Sequence, residues 1–464
     1  MRCVWYNKSM SRIKKTKCTK ATVKRYDFAH RVKKPSGFFR WLTELIAGMG
    51  LVGHKVTVKK HGMDGVKPPY FVVGTHHSYL DLKTMVRAMK PLKVTYVCSL
   101  DVLVMHPEWL MNRVGIIFKR KFVQDVHLLK NMKHCVNDLN ECALVMYPEA
   151  KFSLDGTTSY LPPALGKLAK YLGVPVVAAN MHGNYVSQPQ WNRPKNRLAG
   201  KVHKGTPLVT DVTLVASAEE VKALKSDEIQ ARIEQALQYD DFAWQKENNV
   251  LIKDKRRAEG LHKILYKCPH CGTEFNMHSE GARLSCARCG SIWEMSERGE
   301  LAGVNCETVY SHIPDWFAYE KECVRREVQE GTYRCEKDVR LCTLPYKRMY
   351  AQGTAHFVQT NEGITLSGTA YGEPFCEHWK GNATNGLHIE YNHIKESDAF
   401  AVSTLKESYW CFTDNDGTIT KLSIATDEIY RFATGGSTDA IVEAVIAETP
   451  EEKEELLEVA SSLE

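Results

Sequence analysis

Between residues 70 and 179 the apolar positions fall into short β-branched runs, at 70–73, 94–97, 143–147 and 174–179, with helical character at 123–139 and 163–172 between them. This alternation predicts an α/β unit layered on a largely parallel sheet. Ser226-Asp227-Glu228 offers the N-terminal cap of a helix running to Leu237, near the end of that unit. The charged, broken stretch 246–263 reads as a linker. Beyond Asn305 the pattern turns to β: residues 355–360, 363–366, 399–404, 409–413 and 419–424 alternate as strands. Asn361-Glu362-Gly363 and Asn415-Asp416-Gly417 supply hairpin turns. A helix over 438–446 and an acidic end from Glu448 to Glu464 follow.

A chain of 464 residues with 43% hydrophobic content has room for two to four domains and a buried core. Its net charge of +7 is concentrated at the front, where the lysines and arginines between Arg2 and Lys34 face one acid, Asp27. Such an arm, residues 1–37, is attracted equally to anionic lipid headgroups and to nucleic acid phosphates, and it also reads as a solvated tail. The apolar stretch 38–52 follows, rich in aromatics but carrying Arg40 and Glu44 and too short to cross a bilayer. Either it lies in a membrane interface, where a basic arm and an apolar helix together give stable attachment, or it packs on the domain's own core. No signal peptide or long apolar run occurs, and four of the fifteen cysteines have metal spacing. The expectation is a cytoplasmic protein, peripheral on the inner face of the cell membrane.

The candidate chemistry begins where the first apolar run ends, at Thr75-His76-His77-Ser78-Tyr79-Leu80-Asp81. His76 and Asp81, spaced His-x4-Asp, can hold an imidazole against a carboxylate and so deprotonate an alcohol. On its own this pattern more often only satisfies a turn. Three further segments follow in order: Gly115-Ile116-Ile117-Phe118-Lys119-Arg120, then Tyr147-Pro148-Glu149-Ala150-Lys151-Phe152-Ser153, then Val174-Pro175-Val176-Val177-Ala178. The ordered set resembles the four blocks of the glycerolipid acyltransferase family, which includes 1-acylglycerol-3-phosphate acyltransferase, over roughly residues 38 to 245.

The resemblance implies that His76 is the general base for attack by an acceptor hydroxyl on the thioester of acyl-CoA or acyl carrier protein, with Asp81 fixing its tautomer. It further implies that Gly115, Arg120, Glu149 and Lys151 bind a lysophospholipid or glycerol-phosphate acceptor. Thr75 departs from the usual asparagine. The third block usually reads Glu-Gly-Thr-Arg-Ser, and here Ala150 replaces its glycine and Phe152 its arginine, with Lys151 as the neighbouring positive charge. The fourth block implies a core strand lining the acyl pocket.

Cys268 and Cys271, then Cys286 and Cys289, form two Cys-x2-Cys knuckles, each followed by glycine. Four thiolates so spaced predict one structural zinc in a ribbon, residues 264–304, with no open coordination position for catalysis. Residues 305–464, strands before a terminal helix, resemble a pleckstrin-homology or GRAM-like barrel in outline. The organisation expected is therefore arm, acyltransferase domain (38–245), linker, zinc ribbon and β domain. Two rival readings are an inactive membrane-binding adaptor and a nucleic-acid-binding protein using arm and ribbon. The second leaves the four ordered blocks without a purpose, so nucleic acid is disfavoured as a partner.

Overall fold

The run Tyr70–Gly74 is wholly buried and lies at the centre of a seven-stranded sheet. This computed structural model describes residues 13–15, 18–139, 142–194 and 201–435. The strand order is Val56–His61, Leu208–Ala216, Val176–His182, Tyr70–Gly74, Cys142–Met146, Lys93–Ser99, Ile116–Lys119. Every neighbouring pair is parallel except Val176–His182 with Leu208–Ala216. Because successive side chains on a strand point to opposite faces, Phe71 and Val73 join one core, with Met132, Leu165 and Ile229 of three helices. Tyr70 and Val72 join the other, with Met85, Met89 and Ala47. The sheet is sandwiched in this way, and open α/β sheets bind ligands outside the carboxyl ends of their parallel strands; His76 follows one such end.

The helix Gly37–Gly50 packs on the domain's own core along one side and leaves an apolar side exposed. It buries Ala47, and Leu51 beyond it, against the domain. Phe38, Trp41, Leu45, Ile46 and Met49 stay exposed, Trp41 by 55% and Met49 by 61%. No helix among the described residues is long and apolar enough to cross a membrane. The described part of the arm is packed rather than loose: Ile13–Lys15 pairs alongside Met349, and Val23 and Val32 are buried. Lys20, Lys24, Arg31, Lys33 and Lys34 remain exposed.

The second half differs from the sequence expectation in four ways. Four short antiparallel strands, Met277–Glu280, Arg283–Cys286, Ile292–Met295 and Leu301–Gly303, form the ribbon, and the expected linker before it is not loose: Val250, Ile252, Ala258 and Leu261 are buried. Residues 419–424, expected as a strand, belong to the helix Thr418–Thr434, whose start is set by Gly417 at φ +93° and by Asp416, which accepts from the Thr418 N–H. The barrel is not closed. An antiparallel sheet runs Glu373–Lys380, Gly363–Ala370, Met349–Thr360, Arg334–Thr343, Ser408–Phe412, Ala399–Ser403, His388–Glu390, and among the described residues its end strands do not pair. An unforeseen helix, Ile313–Gln329, packs with Thr418–Thr434 against this sheet. The expected helix over 438–446 and the acidic end lie outside the described residues.

Candidate active site

His76 leaves the end of the central strand, and Asp81 opens the helix Asp81–Met89, so the turn between them folds the imidazole back onto the carboxylate. His76 Nδ1 lies 2.9 Å from Asp81 Oδ2. That oxygen also accepts the backbone N–H of His77 (2.6 Å) and Ser78 (2.9 Å), and Oδ1 accepts Asn184 Nδ2 at 2.8 Å. Asp81 is completely buried, and the positive end of its own helix favours a carboxylate there. An acceptor so placed makes Nδ1 the protonated nitrogen of His76 and leaves the Nε2 lone pair without a protein partner among the described residues. The imidazole is 18% exposed, stacked on Tyr147 at 4.4 Å and tilted against Phe152 at 4.3 Å. Burial lowers its pKa below the ordinary value while Asp81 pulls it back up, so a neutral, base-ready ring is favoured.

Glu149 lies behind this pair. Its Oε1 accepts the His76 N–H at 2.9 Å, and Oε2 accepts the Ser159 N–H at 3.0 Å and the Tyr239 hydroxyl at 3.2 Å. Burial pushes its carboxyl up to about 7. Ser153 completes the frame by donating its N–H to the His76 carbonyl at 2.8 Å. The third block thus grips the backbone of His76 on both sides, and Glu149 positions the base rather than facing open space. Ala150 adopts φ +54°, which explains what a glycine at this place of the block is for. Thr75, at the asparagine position, is buried and accepts the Met181 N–H.

The remaining residues expected to bind substrate point elsewhere. Arg120 is 3% exposed, and its guanidinium donates to the carbonyls of Leu344, Pro345, Leu405 and Lys406, in loops that flank strands of the C-terminal sheet, and to Ser408 Oγ. Lys151 Nζ is bound to Asp427 (2.6 Å) and Ser423 (3.2 Å) of the last helix. Gly115, at φ +83°, ends the helix Glu108–Val114, and a Cβ there would meet Pro35 at 2.5 Å. These three fasten the two halves and the arm together. His77 is buried against Tyr239, and burial drops its ring to about 3.

The four ribbon cysteines converge, with all four sulfurs within 4.8 Å of one another. Two of the Sγ–Sγ distances, Cys268 to Cys289 and Cys271 to Cys286, are 3.7 Å. A tetrahedron of sulfurs about 2.3 Å from zinc has edges of roughly 3.8 Å, so the set fits the ion. Gly272 and Gly290 turn through positive φ, and their N–H groups close the knuckles on the carbonyls of Cys268 and Cys286. Among the described residues no cysteine pair is disulfide-bonded.

Among solved structures, the chain is similar in part to an acyltransferase. That neighbour is the 1-acyl-sn-glycerophosphate acyltransferase of Thermotoga maritima, at 17% identity, covering 43% of this chain and 76% of that one with a TM-score of 0.33. A likeness this partial carries no functional weight, and the chemistry rests on the geometry above. No family model matches the chain, and no curated protein matches it.

Two groups at the site had no signal in the sequence. Asn184 follows a strand 103 residues downstream of Asp81, and Glu390 comes from the other half of the chain. Neither lies within a recurring pattern, and only the fold brings them to His76.

Proposed function

We propose that the protein is an acyltransferase that moves a fatty acyl group from acyl-CoA or acyl carrier protein to a hydroxyl of a lysophospholipid or glycerol-phosphate acceptor. The observation that carries this reading is the buried Asp81 anchored by three donors besides His76, with His76 Nε2 free of protein partners among the described residues. Nε2 takes the proton from the acceptor hydroxyl as its oxygen attacks the thioester carbonyl. The tetrahedral intermediate collapses, the C–S bond breaks, and the imidazolium returns the proton to the departing thiolate. Asp81 keeps the ring in the productive tautomer and stabilises its charged form. No covalent acyl-enzyme is needed.

The ribbon's zinc would be structural, held by Cys268, Cys271, Cys286 and Cys289. The exposed face of Gly37–Gly50 and the nearby exposed bases would place the enzyme on an anionic membrane surface, from which it would take its lipid acceptor. The division into arm, catalytic domain, ribbon and β domain belongs to the same reading. The adaptor alternative draws support from Arg120 and Lys151, which are occupied by the protein itself. Lipid mass spectrometry of the purified protein, supplied with acyl-CoA and a panel of lysolipids and glycerol phosphates, decides between them. An acylated product supports the enzyme, and none with any acceptor or donor supports the adaptor.

A further inference from the structure

With Arg120 and Lys151 occupied, two other cations among the described residues bear on this region: Lys121, whose charge reaches His76, and Arg193, which is bound to Tyr79 and Glu390. Lys121 makes no ion pair within 4 Å among the described residues, and its charge is felt by both His76 and Glu390. Arg193 is 4% exposed. It donates from one terminal nitrogen to Glu390 at 2.7 Å and to the Tyr79 hydroxyl at 3.3 Å, while its Nε is buried with no partner. Tyr79 also donates to Glu390, at 3.2 Å, and its ring leans on Phe152, which touches His76. Glu390 comes from the far edge of the C-terminal sheet, and His388 Nε2 lies 3.6 Å from its other oxygen. The second carboxylate near Lys121, Asp101, is engaged by Ser99 and lies 3.5 Å from His388.

We propose that Arg193 and Tyr79 form an oxyanion site beside the catalytic base, made for the phosphate monoester of the acceptor, and that Glu390 fills it when no acceptor is bound. Two features of the site separate it from a simple interdomain ion pair. First, a single carboxylate oxygen satisfies Arg193 and Tyr79 while the guanidinium Nε stays unbonded, and a phosphate brings three oxygens. Second, displacing Glu390 leaves the buried Arg193 guanidinium without an ion-pair partner among the described residues, a charge that calls for another anion such as a phosphomonoester. The buried surroundings hold Glu390 in its charged form, its pKa far below the ordinary carboxylate range despite desolvation, with His388 and Arg193 responsible. A place that stabilises one buried anion so strongly is suited to another. Glu390 then acts as a tethered competitor that the acceptor must displace, which couples the C-terminal sheet to the site.

This inference takes from the acyl-transfer reading only the identity of the acceptor, so it is tested by binding rather than turnover. The full-length protein is titrated with sn-glycerol 3-phosphate and, in parallel, inorganic phosphate and glycerol, by calorimetry. Glu390→Gln, which keeps the shape and removes the charge, should bind glycerol 3-phosphate at least about 10-fold more tightly than the parent. Inorganic phosphate should gain in the same direction, and glycerol should not bind. Adding Arg193→Met to Glu390→Gln should abolish the gain. Glu390→Asp, which keeps a charge in the buried site but shortens its reach, should give a smaller gain and covers the case in which Glu390→Gln does not fold. Unchanged or weaker binding in the folded variants would overturn the proposal. Adding His76→Ala to Glu390→Gln should keep the gain for inorganic phosphate, which offers the base no acceptor hydroxyl, so loss of transfer and loss of the anion site are read separately.

Discussion

Ala150 shows how a residue that departs from a motif can mark what the motif is for. Its φ of +54° costs a residue with a Cβ about 1–2 kcal/mol, and the turn still forms because Glu149 before it and Ser153 after it grip the His76 backbone. Glu149 supplies a prediction with a definite sign. Its pKa is raised in the fold from 4.5 to about 7, so the folded chain keeps a proton that the unfolded chain releases. Its ionisation therefore removes stability as pH rises from about 4.5 to 7, by roughly 3 kcal/mol at about 1.4 kcal/mol per unit. Thermal unfolding of Glu149→Gln and the parent at pH 5 and pH 7.5 should show a smaller loss with rising pH in the variant. His76 and Asp81 were legible from sequence because a five-residue turn is a local event. Asn184 was not, since it meets Asp81 only through the sheet.

At the scale of elements, tertiary packing overrode local preference where the two disagreed. Residues 419–424, Ile-Thr-Lys-Leu-Ser-Ile, carry the β-branched signature of a strand, yet Ile419, Leu422, Ile424 and Ala425 all reach the core from a helix laid on the C-terminal sheet. The parallel strands were legible because they are short apolar runs, buried on both faces. The second block was legible as a segment but not in its role, because the carbonyls that hold Arg120 lie 224 to 286 residues further on. Arg120→Met should therefore lower stability by about 3–5 kcal/mol in chemical denaturation, since several buried carbonyls lose their donor. A residue used only for the acceptor would raise KM and leave stability alone. The helix Gly37–Gly50 predicts the opposite pattern. Trp41→Ser with Ile46→Ser should weaken cosedimentation with anionic liposomes by about 10-fold or more and leave the unfolding temperature unchanged, because both side chains are half exposed in solution.

Across the whole molecule, the ribbon is not the independent module that its cysteine spacing suggested. Cys268, Cys286 and Trp293 share one core with Trp316 of the helix Ile313–Gln329, with Phe357 and Phe400 of the C-terminal sheet, and with Tyr185 and Phe242 near the site. Tyr185 adjoins Asn184, which holds Asp81, so folding energy from a metal held by the four cysteines would reach the His76–Asp81 pair through packed side chains. Metal analysis should find one zinc per chain, and strong chelation should lower the unfolding temperature of the chain as a single transition. Two transitions, with only the ribbon lost, would restore the modular picture. The central claim remains that His76 is the base for acyl transfer. The most direct measurement is the rate of acylated lipid formation by purified His76→Ala, with its fold checked by circular dichroism. At least about a 1000-fold loss with the fold intact is expected, and parental turnover by the folded variant would contradict the account.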